Sequence, residues 1–519
     1  MSRRRGAGPL RSYCAIISLS PRKINFIRKL SRLAFSRPPA ALRRVPYKQS
    51  VEIRDAFRYN EGRFPRGARP RGIFCQKGPS GMIVYFHTLG CKVNQYETQA
   101  MRALMEAEGC ETSEALFSGT PEERAAMQDA AIVLNSCTVT GESDRKLRQL
   151  LRRCRREYPH AVLVLTGCFP QAFPEAAERF SEADIVLGNA CRRALPRYLH
   201  DFLARRQRIV DIAPHSREFE SLAVDDFGGR TRAFVKIEDG CDRFCAYCII
   251  PYARGRVRSK PLPELERELA ALSAKGYAEA VLSGINLTAY GRDLGLGLCD
   301  AVEAACRTPG IRRVRLGSLE PDMLTPAVIA RLGAQEKLCP QFHLSLQSGC
   351  AATLKRMNRH YTPEEYLAVC GALRERFPGC ALTTDVMVGF PGEDEAEFAE
   401  SLAFVKKVGF ARAHVFAYSR RPGTVAARMD GQVPREEKSH RSRRMIAACD
   451  QLRDAFLDAW VGREAEVLLE TRSKDGRWEG YTPAYIPVLV PAGEGLRPGG
   501  AVRVRITGRR EGVCEGELA

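Results

Sequence analysis

No apolar run in the 519-residue chain reaches the roughly 18 residues that span a membrane, and no secretory hydrophobic region opens it. Without an export signal, its 19 cysteines, an odd number, read as reduced thiols and metal ligands and not as a disulfide framework. The expected location is the cytoplasm. Acidic residues are scarce over residues 1–81, which hold 3 Asp+Glu against 20 Lys+Arg. The other 438 residues hold 58 against 61, so the formal net charge of +20 says little about the folded part. That stretch reads as a disordered basic leader, or an Arg-rich transit-like segment. Met82, just before the first convincing strand, is a plausible start. Histidine is also missing where zinc would want it: after Cys248 the next is His343.

What is present in that place is Gly240-Cys241-Asp242-Arg243-Phe244-Cys245-Ala246-Tyr247-Cys248, directly after the strand-like Ala233-Phe234-Val235-Lys236-Ile237. Three thiolates on one short loop can grip three irons of a cubane cluster and leave the fourth open to a ligand's amino and carboxylate groups. A zinc knuckle and three buried structural thiols are the alternatives. A second set of cysteines is spread out. Met82–His87, Ala131–Asn135, Ala161–Thr166 and Asp184–Gly188 read as strands alternating with helices, a doubly wound parallel sheet. Cys91, Cys137 and Cys168 each lie just past the end of one of these strands, on the edge where such sheets bind ligands. The competing reading is that Cys is a good small buried residue.

From about residue 232, six strand-like runs centre on Phe234, Val281, Val314, Leu344, Val386 and Val415, with helical segments between them. Six fall short of the eight of a closed barrel, so an incomplete (β/α)6 barrel is expected. Residues at its strand ends are cofactor candidates: Gly284 and Asn286, Ser318 and Glu320, Gln347, and Asp385 ahead of Gly389-Phe390-Pro391-Gly392. After a helix over Pro434–Trp460, period-two runs with Gly and Pro turns suggest a small β-barrel. Its Trp478, Tyr481 and Tyr485 can stack on bases or fill its interior. Residues 458–519 hold 9 Lys+Arg against 10 Asp+Glu. A basic stripe (Arg145, Lys146, Arg148, Arg152, Arg153, Arg155, Arg156) and the helix around Arg441, Arg443 and Arg444 offer more charge to a polyanion, or are ordinary solvated faces.

The cysteine loop resembles the signature of the radical S-adenosylmethionine (SAM) superfamily. Leu89-Gly90-Cys91-Lys92-Val93-Asn94-Gln95-Tyr96-Glu97, Asn135-Ser136-Cys137-Thr138 and Thr166-Gly167-Cys168 are similar to the amino-terminal domain of the methylthiotransferases, most of all the MtaB subfamily. The resemblance implies a methylthiotransferase domain over 82–200, a radical SAM domain over 228–457 and an OB-like TRAM domain over 458–519, the stretch near 192–230 serving as linker. It implies two 4Fe-4S clusters, on Cys241, Cys245 and Cys248 and on Cys91, Cys137 and Cys168, with S-adenosyl-L-methionine on the first and sulfur carried by the second. The segment Ser283–Asn286 would meet the methionine amino group. The implied substrate is N6-threonylcarbamoyladenosine beside the anticodon of tRNA, methylthiolated at C2, with a flavodoxin or ferredoxin as electron donor. Isopentenyl-adenosine in tRNA and an aspartate of a ribosomal protein are alternative targets. A zinc-bearing RNA-binding protein is the non-enzymatic alternative.

Overall fold

The structure, a computed structural model, describes residues 81–519 apart from 223, 225 and 229. The leader expected over 1–81 lies outside the described residues but for Gly81. The first sheet is parallel throughout: β1 (Ile83–Thr88), β2 (Glu111–Ser113), β3 (Ala130–Ser136), β4 (Val162–Gly167), β5 (Ile185–Leu187) and β6 (Ile209–Asp211), in the order β2-β1-β3-β4-β5-β6. β3, β4 and β5 are buried along their whole length. Their near-continuous apolar runs suit strands covered on both faces. Alternate residues feed two cores: Val84, Phe86, Val133 and Val164 pack with Leu195 and Leu199 on one face. Tyr85, Ile132, Leu134 and Leu163 pack with Leu147 and Leu151 on the other. Strand order reverses between β1 and β3, which opens a crevice at their carboxyl ends. β2 and β6, three residues each, were not foreseen, being too short to show a period, and β6 lies in the stretch read as linker.

The six barrel runs are all strands: β7 (Arg232–Lys236), β10 (Glu279–Ser283), β11 (Arg313–Leu316), β13 (Gln341–Leu344), β14 (Ala381–Val388) and β15 (Arg412–Ala417). β7, β10 and β11 form one parallel sheet, and β13, β14 and β15, with the short β12 (Ser318–Leu319), a second. A bridge from Val314 to Leu338 joins them. The remaining pair, β8 (Glu238–Asp239) and β9 (Arg258–Ser259), is antiparallel and ties off the loop that carries Cys241, Cys245 and Cys248. Outward residues (Val235, Leu282, Val314, Leu344, Val386) join the helices in one core. By the two-residue period of strands, Arg232, Glu279, Arg315, His343, Asp385 and His414 point inward. The lumen is therefore polar.

The helix Arg435–Asp458 leads to a closed barrel of β16 (Glu464–Arg472), β17 (Trp478–Tyr481), β18 (Pro487–Val490), β19 (Ala501–Arg510) and β20 (Val513–Leu518). Trp478 is buried in its core with Val467, Val488 and Ile506. This barrel closes the amino-terminal end of the larger one. Arg232 pairs with Glu470 at 2.6 Å, Arg313 with Glu466 at 2.5 Å, and Arg315 donates to the Pro483 carbonyl at 2.9 Å. Tyr481 and Tyr485 stack on each other at 4.7 Å, with the Arg232 guanidinium against both rings. All three aromatics that sequence offered for base stacking are thus engaged inside the protein.

Candidate active site

The loop trio is built locally. Gly240 takes φ +87°, and a methyl there would lie 2.0 Å from the Arg256 carbonyl oxygen. Only glycine permits so close a return of the chain. Cys241 N donates to the Gly255 carbonyl at 3.0 Å, and Ala246 is pinned between Met357 and Ala426 by backbone hydrogen bonds of 2.9 and 2.8 Å. Arg359 Nη1 lies 3.3 Å from Cys245 Sγ, while its Nη2 grips Glu320 at 2.5 Å. Burial, with Cys245 nearby, pushes the Cys241 thiol up to about 12.

The second trio is assembled by topology. β3 and β4 end in register at Ser136 and Gly167, so Cys137 and Cys168 follow side by side. Ser136 Oγ donates to the Thr166 carbonyl at 2.7 Å and accepts from Phe169 N at 3.3 Å, locking the two strand ends together. Cys91 arrives from β1. Its thiol faces Asn94 Oδ1 at 3.4 Å, and Asn94 Nδ2 reaches Asn135 Oδ1 at 3.1 Å. Burial first, then the adjoining thiols of Cys168 and Cys91, pushes Cys137 up to about 12. All three therefore stand at the crevice between β1, β3 and β4.

Exposure separates five of these six from the rest. Of the 17 described cysteines, the other eleven are all buried, whereas only Cys168 among the six is. The donor chemistry fits iron–sulfur clusters: three thiols per site, soft ligands on a rim open to a ligand. Among the described residues, no three His, Cys, Asp or Glu side chains crowd closely enough to share one ion.

A buried ionic network links the two sites, and sequence reading missed it. Arg254, in the helix Ile250–Arg254 just after Cys248, donates to Glu97 at 2.8 and 3.1 Å and to Asp239 at 3.0 Å. Its charge also acts on the Cys168 thiol, opposing the rise that burial imposes there. Glu97 further pairs with Lys236 and Arg192, each at 2.8 Å. Burial alone would raise the Glu97 carboxyl, but Arg192, Arg254 and Lys236 prevail and hold it at about 2. Glu97 comes from the first domain, Lys236, Asp239 and Arg254 from the barrel. The one signal available was charge at positions otherwise reading as buried.

The barrel-rim candidates fall as follows. Gly284 and Asn286 wrap the carboxylate of Glu238: a methyl at Gly284 would sit 2.6 Å from Glu238 Oε2, which accepts from Ile285 N and Asn286 N at 2.7 Å each. Burial raises the Glu238 carboxyl to about 8, and its Oε1 is buried with no partner. Sequence reading passed over Glu238 although it lies three residues before Cys241. Glu320 is tied to Arg359 at the loop, with Ser318 two residues earlier on β12. Gln347 adopts φ +66°, a conformation held against its local preference, as at many ligand sites. Asp385 lies lower, 3.4 Å from His343 Nε2. On the outer surface, Arg145, Lys146, Arg148, Arg152, Arg153 and Arg156 are exposed along the helix Gly141–Glu157, while Arg155 is half-buried against Asp184. Arg441, expected to offer charge outward, is buried against Glu393 at 2.9 Å and offers none. Among the described residues no helix is long and apolar enough to cross a membrane.

An incomplete parallel barrel with a cysteine loop at its rim defines a radical SAM protein. Comparison agrees: the radical SAM superfamily profile matches residues 235–405, the TRAM domain 459–519, and a profile described as uncharacterized protein family UPF0004 residues 83–188. The chain is 38% identical over 431 residues to the threonylcarbamoyladenosine tRNA methylthiotransferase MtaB of Bacillus subtilis, covering 82% of this chain and 93% of that one. It is 36% identical to the protein of the same name from Thermotoga maritima, covering 78% and 90%. In fold it resembles a radical SAM methyltransferase, TsrM, from Kitasatospora setae (TM-score 0.50, 15% identity, 67% of this chain and 77% of that one). The chain belongs to the radical SAM methylthiotransferase family, in its MtaB-like branch.

Proposed function

We propose that this protein transfers a methylthio group to C2 of N6-threonylcarbamoyladenosine beside the anticodon of tRNA, giving 2-methylthio-N6-threonylcarbamoyladenosine. What supports the reading is the pair of thiol trios, at the strand ends of two adjoining sheets that Arg254 ties together through Glu97 and Asp239. An aromatic C2–H has no acidic proton for a general base to remove, so side-chain acid–base chemistry does not suffice and cofactors carry the step. When bound, a 4Fe-4S cluster with SAM at Cys241, Cys245 and Cys248 supplies a 5′-deoxyadenosyl radical, and a second 4Fe-4S cluster at Cys91, Cys137 and Cys168 supplies the sulfur.

The chain's own residues bind and orient. We assign the SAM ammonium to Glu238, whose Oε1 is buried without a partner beside Gly284 and Asn286, and further cofactor contacts to Ser318, Glu320, Gln347 and Asp385. Arg359 sets its guanidinium 3.3 Å from Cys245 Sγ, a positive charge beside one ligand thiol. We assign tRNA binding to the anticodon stem-loop, electron supply to a flavodoxin or ferredoxin, and the cytoplasm as the setting. A rival target, dimethylallyladenosine, is the one named for relatives called tRNA-2-methylthio-N(6)-dimethylallyladenosine synthase, which at 32–34% identity are less similar than the MtaB proteins. Mass spectrometry of tRNA nucleosides from a deletion strain decides between them. Loss of 2-methylthio-N6-threonylcarbamoyladenosine with build-up of its unthiolated parent is expected. Loss of the dimethylallyl product alone overturns the assignment.

A further inference from the structure

Two cations at the barrel, Arg412 and Lys92, have no ion-pair partner among the described residues. β15 presents Arg412, His414 and Phe416 at successive inward positions, in register with Thr383, Asp385 and Met387 of β14. All three are exposed to the chamber, Phe416 by 46%. The carboxylates close by are already engaged: Asp385 with His343, Glu279 with Arg315 at 2.8 Å and Glu470 with Arg232. Arg412 and Lys92 have no carboxylate within ion-pair distance among the described residues. Lys92 follows Cys91 at the start of the helix Lys92–Ala107. Its ammonium lies in the field of Arg232, Arg315 and Tyr485 on the chamber floor, as well as of Cys91. Burial lowers the His414 ring, the Asp385 carboxylate opposes that, and Arg412, His343 and Lys92 add to it. Lys92, beside the second cysteine trio, is thus near enough to act on a ring of the barrel. Arg412 and Lys92, unpaired near the His414–Asp385 register position, leave a net positive charge there, which an anionic ligand relieves. One strand step of about 7 Å above His414, Phe416 offers an apolar face on which a base can stack.

We propose that Lys92, Arg412 and His414 form a carboxylate subsite that receives the carboxylate of the amino-acid substituent on the substrate base, with the base against Phe416. The inference rests on the proposed function, since a dimethylallyl group has no charge to offer. The same chemistry exists in the methionine carboxylate of SAM, so the test separates the two.

The test uses anaerobically purified holoenzyme and fluorescent anticodon stem-loops. These carry N6-threonylcarbamoyladenosine, the same base with its carboxylate amidated, N6-dimethylallyladenosine, or plain adenosine. The wild type should bind the carboxylate form about tenfold more tightly than the amide, the scale of one charge-assisted hydrogen bond. In Lys92→Met and Arg412→Met that preference should shrink to within about twofold. Affinity for the plain stem-loop, iron content and SAM binding by equilibrium dialysis should stay unchanged, and Arg412→Lys should restore part of the preference. Arg412 lies on a strand that carries none of the six cysteines, so its variant stands even if Lys92→Met disturbs the neighbouring thiol. A preference that survives in both variants overturns the subsite. So does a loss of SAM affinity with the stem-loop preference intact, which assigns the charge to the cofactor. A wild type that favours the dimethylallyl stem-loop overturns the functional reading itself, a separate failure.

Discussion

The two cysteine trios reach similar donor sets by opposite routes. Cys241, Cys245 and Cys248 share one loop, tied off by the β8–β9 pair and pinned at Ala246. Cys91, Cys137 and Cys168 come from three strand ends and meet only because β1, β3 and β4 are neighbours. Each route needs a glycine that no other residue replaces: Gly240 at φ +87°, and Gly167 at φ +101°, where a methyl would lie 2.4 Å from the Ser136 carbonyl. A local loop keeps its ligands together through modest changes elsewhere. A distributed site inherits every error of the sheet beneath it, and buried polar contacts hold it in register.

The sharpest way to break that comparison is to remove one ligand from each trio. Cys245→Ala should abolish 5′-deoxyadenosine formation altogether, together with about half of the bound iron. Cys137→Ala should also lose about half of the iron but continue to cleave SAM, while yielding no methylthiolated nucleoside. Iron assay, nucleoside analysis and quantitation of 5′-deoxyadenosine on anaerobic protein read all three. If Cys137→Ala stops SAM cleavage as completely as Cys245→Ala, the trios are not separate sites.

The difference between the trios also decides what the sequence disclosed. The loop trio is legible as spacing alone, since three cysteines in nine residues after an apolar strand leave little else to build. The distributed trio needed the inference that consecutive strands end on one edge, which β1, β3 and β4 obey. The six barrel strands were legible from apolar runs, because their outward residues must be apolar to meet the helices. Their inward residues were not, since a lumen facing solvent imposes no hydrophobic pattern. Arg254, Glu97, Lys236 and Asp239 escaped for a related reason: a charge buried against a charge far off in sequence looks like any surface charge. Arg441 failed the opposite way, reading as an exposed helix face and proving buried.

The network between the trios gives the next effect in size. Glu97 is fully buried and satisfies Arg192, Lys236 and Arg254 together. Glu97→Gln removes the carboxylate those three cations share, leaving only Asp239 and Glu220 against them, and should cost about 3–5 kcal/mol in urea unfolding. The pH dependence has a definite sign. A carboxyl held at about 2 in the folded protein stabilises it fully above the ordinary carboxylate value near 4.5, and that stability fades as pH falls toward about 2. Wild-type protein should therefore weaken steeply between pH 4.5 and 2, and Glu97→Gln, weaker throughout, should show a shallower slope there. A variant as stable as wild type at pH 7 would mean that the two domains are held by their apolar contacts alone.

The finest distinction lies in single hydrogen bonds beside each trio. Ser136 Oγ is buried, donating to the Thr166 carbonyl and accepting from Phe169 N. Ser136→Ala strands a buried N–H and carbonyl, at a cost of about 1–3 kcal/mol. At the loop, Asn358 Nδ2 donates to the Phe244 carbonyl at 3.1 Å in an exposed setting. Water replaces that bond, so Asn358→Ala should change stability by no more than about 0.5 kcal/mol. In a chelator challenge followed by visible absorbance, Ser136→Ala should lose about half of its iron faster than wild type, while Asn358→Ala keeps wild-type kinetics. Equal loss in the two variants would mean that distance along the chain does not govern how firmly each trio is held. The contrast would then rest on topology without an energetic counterpart.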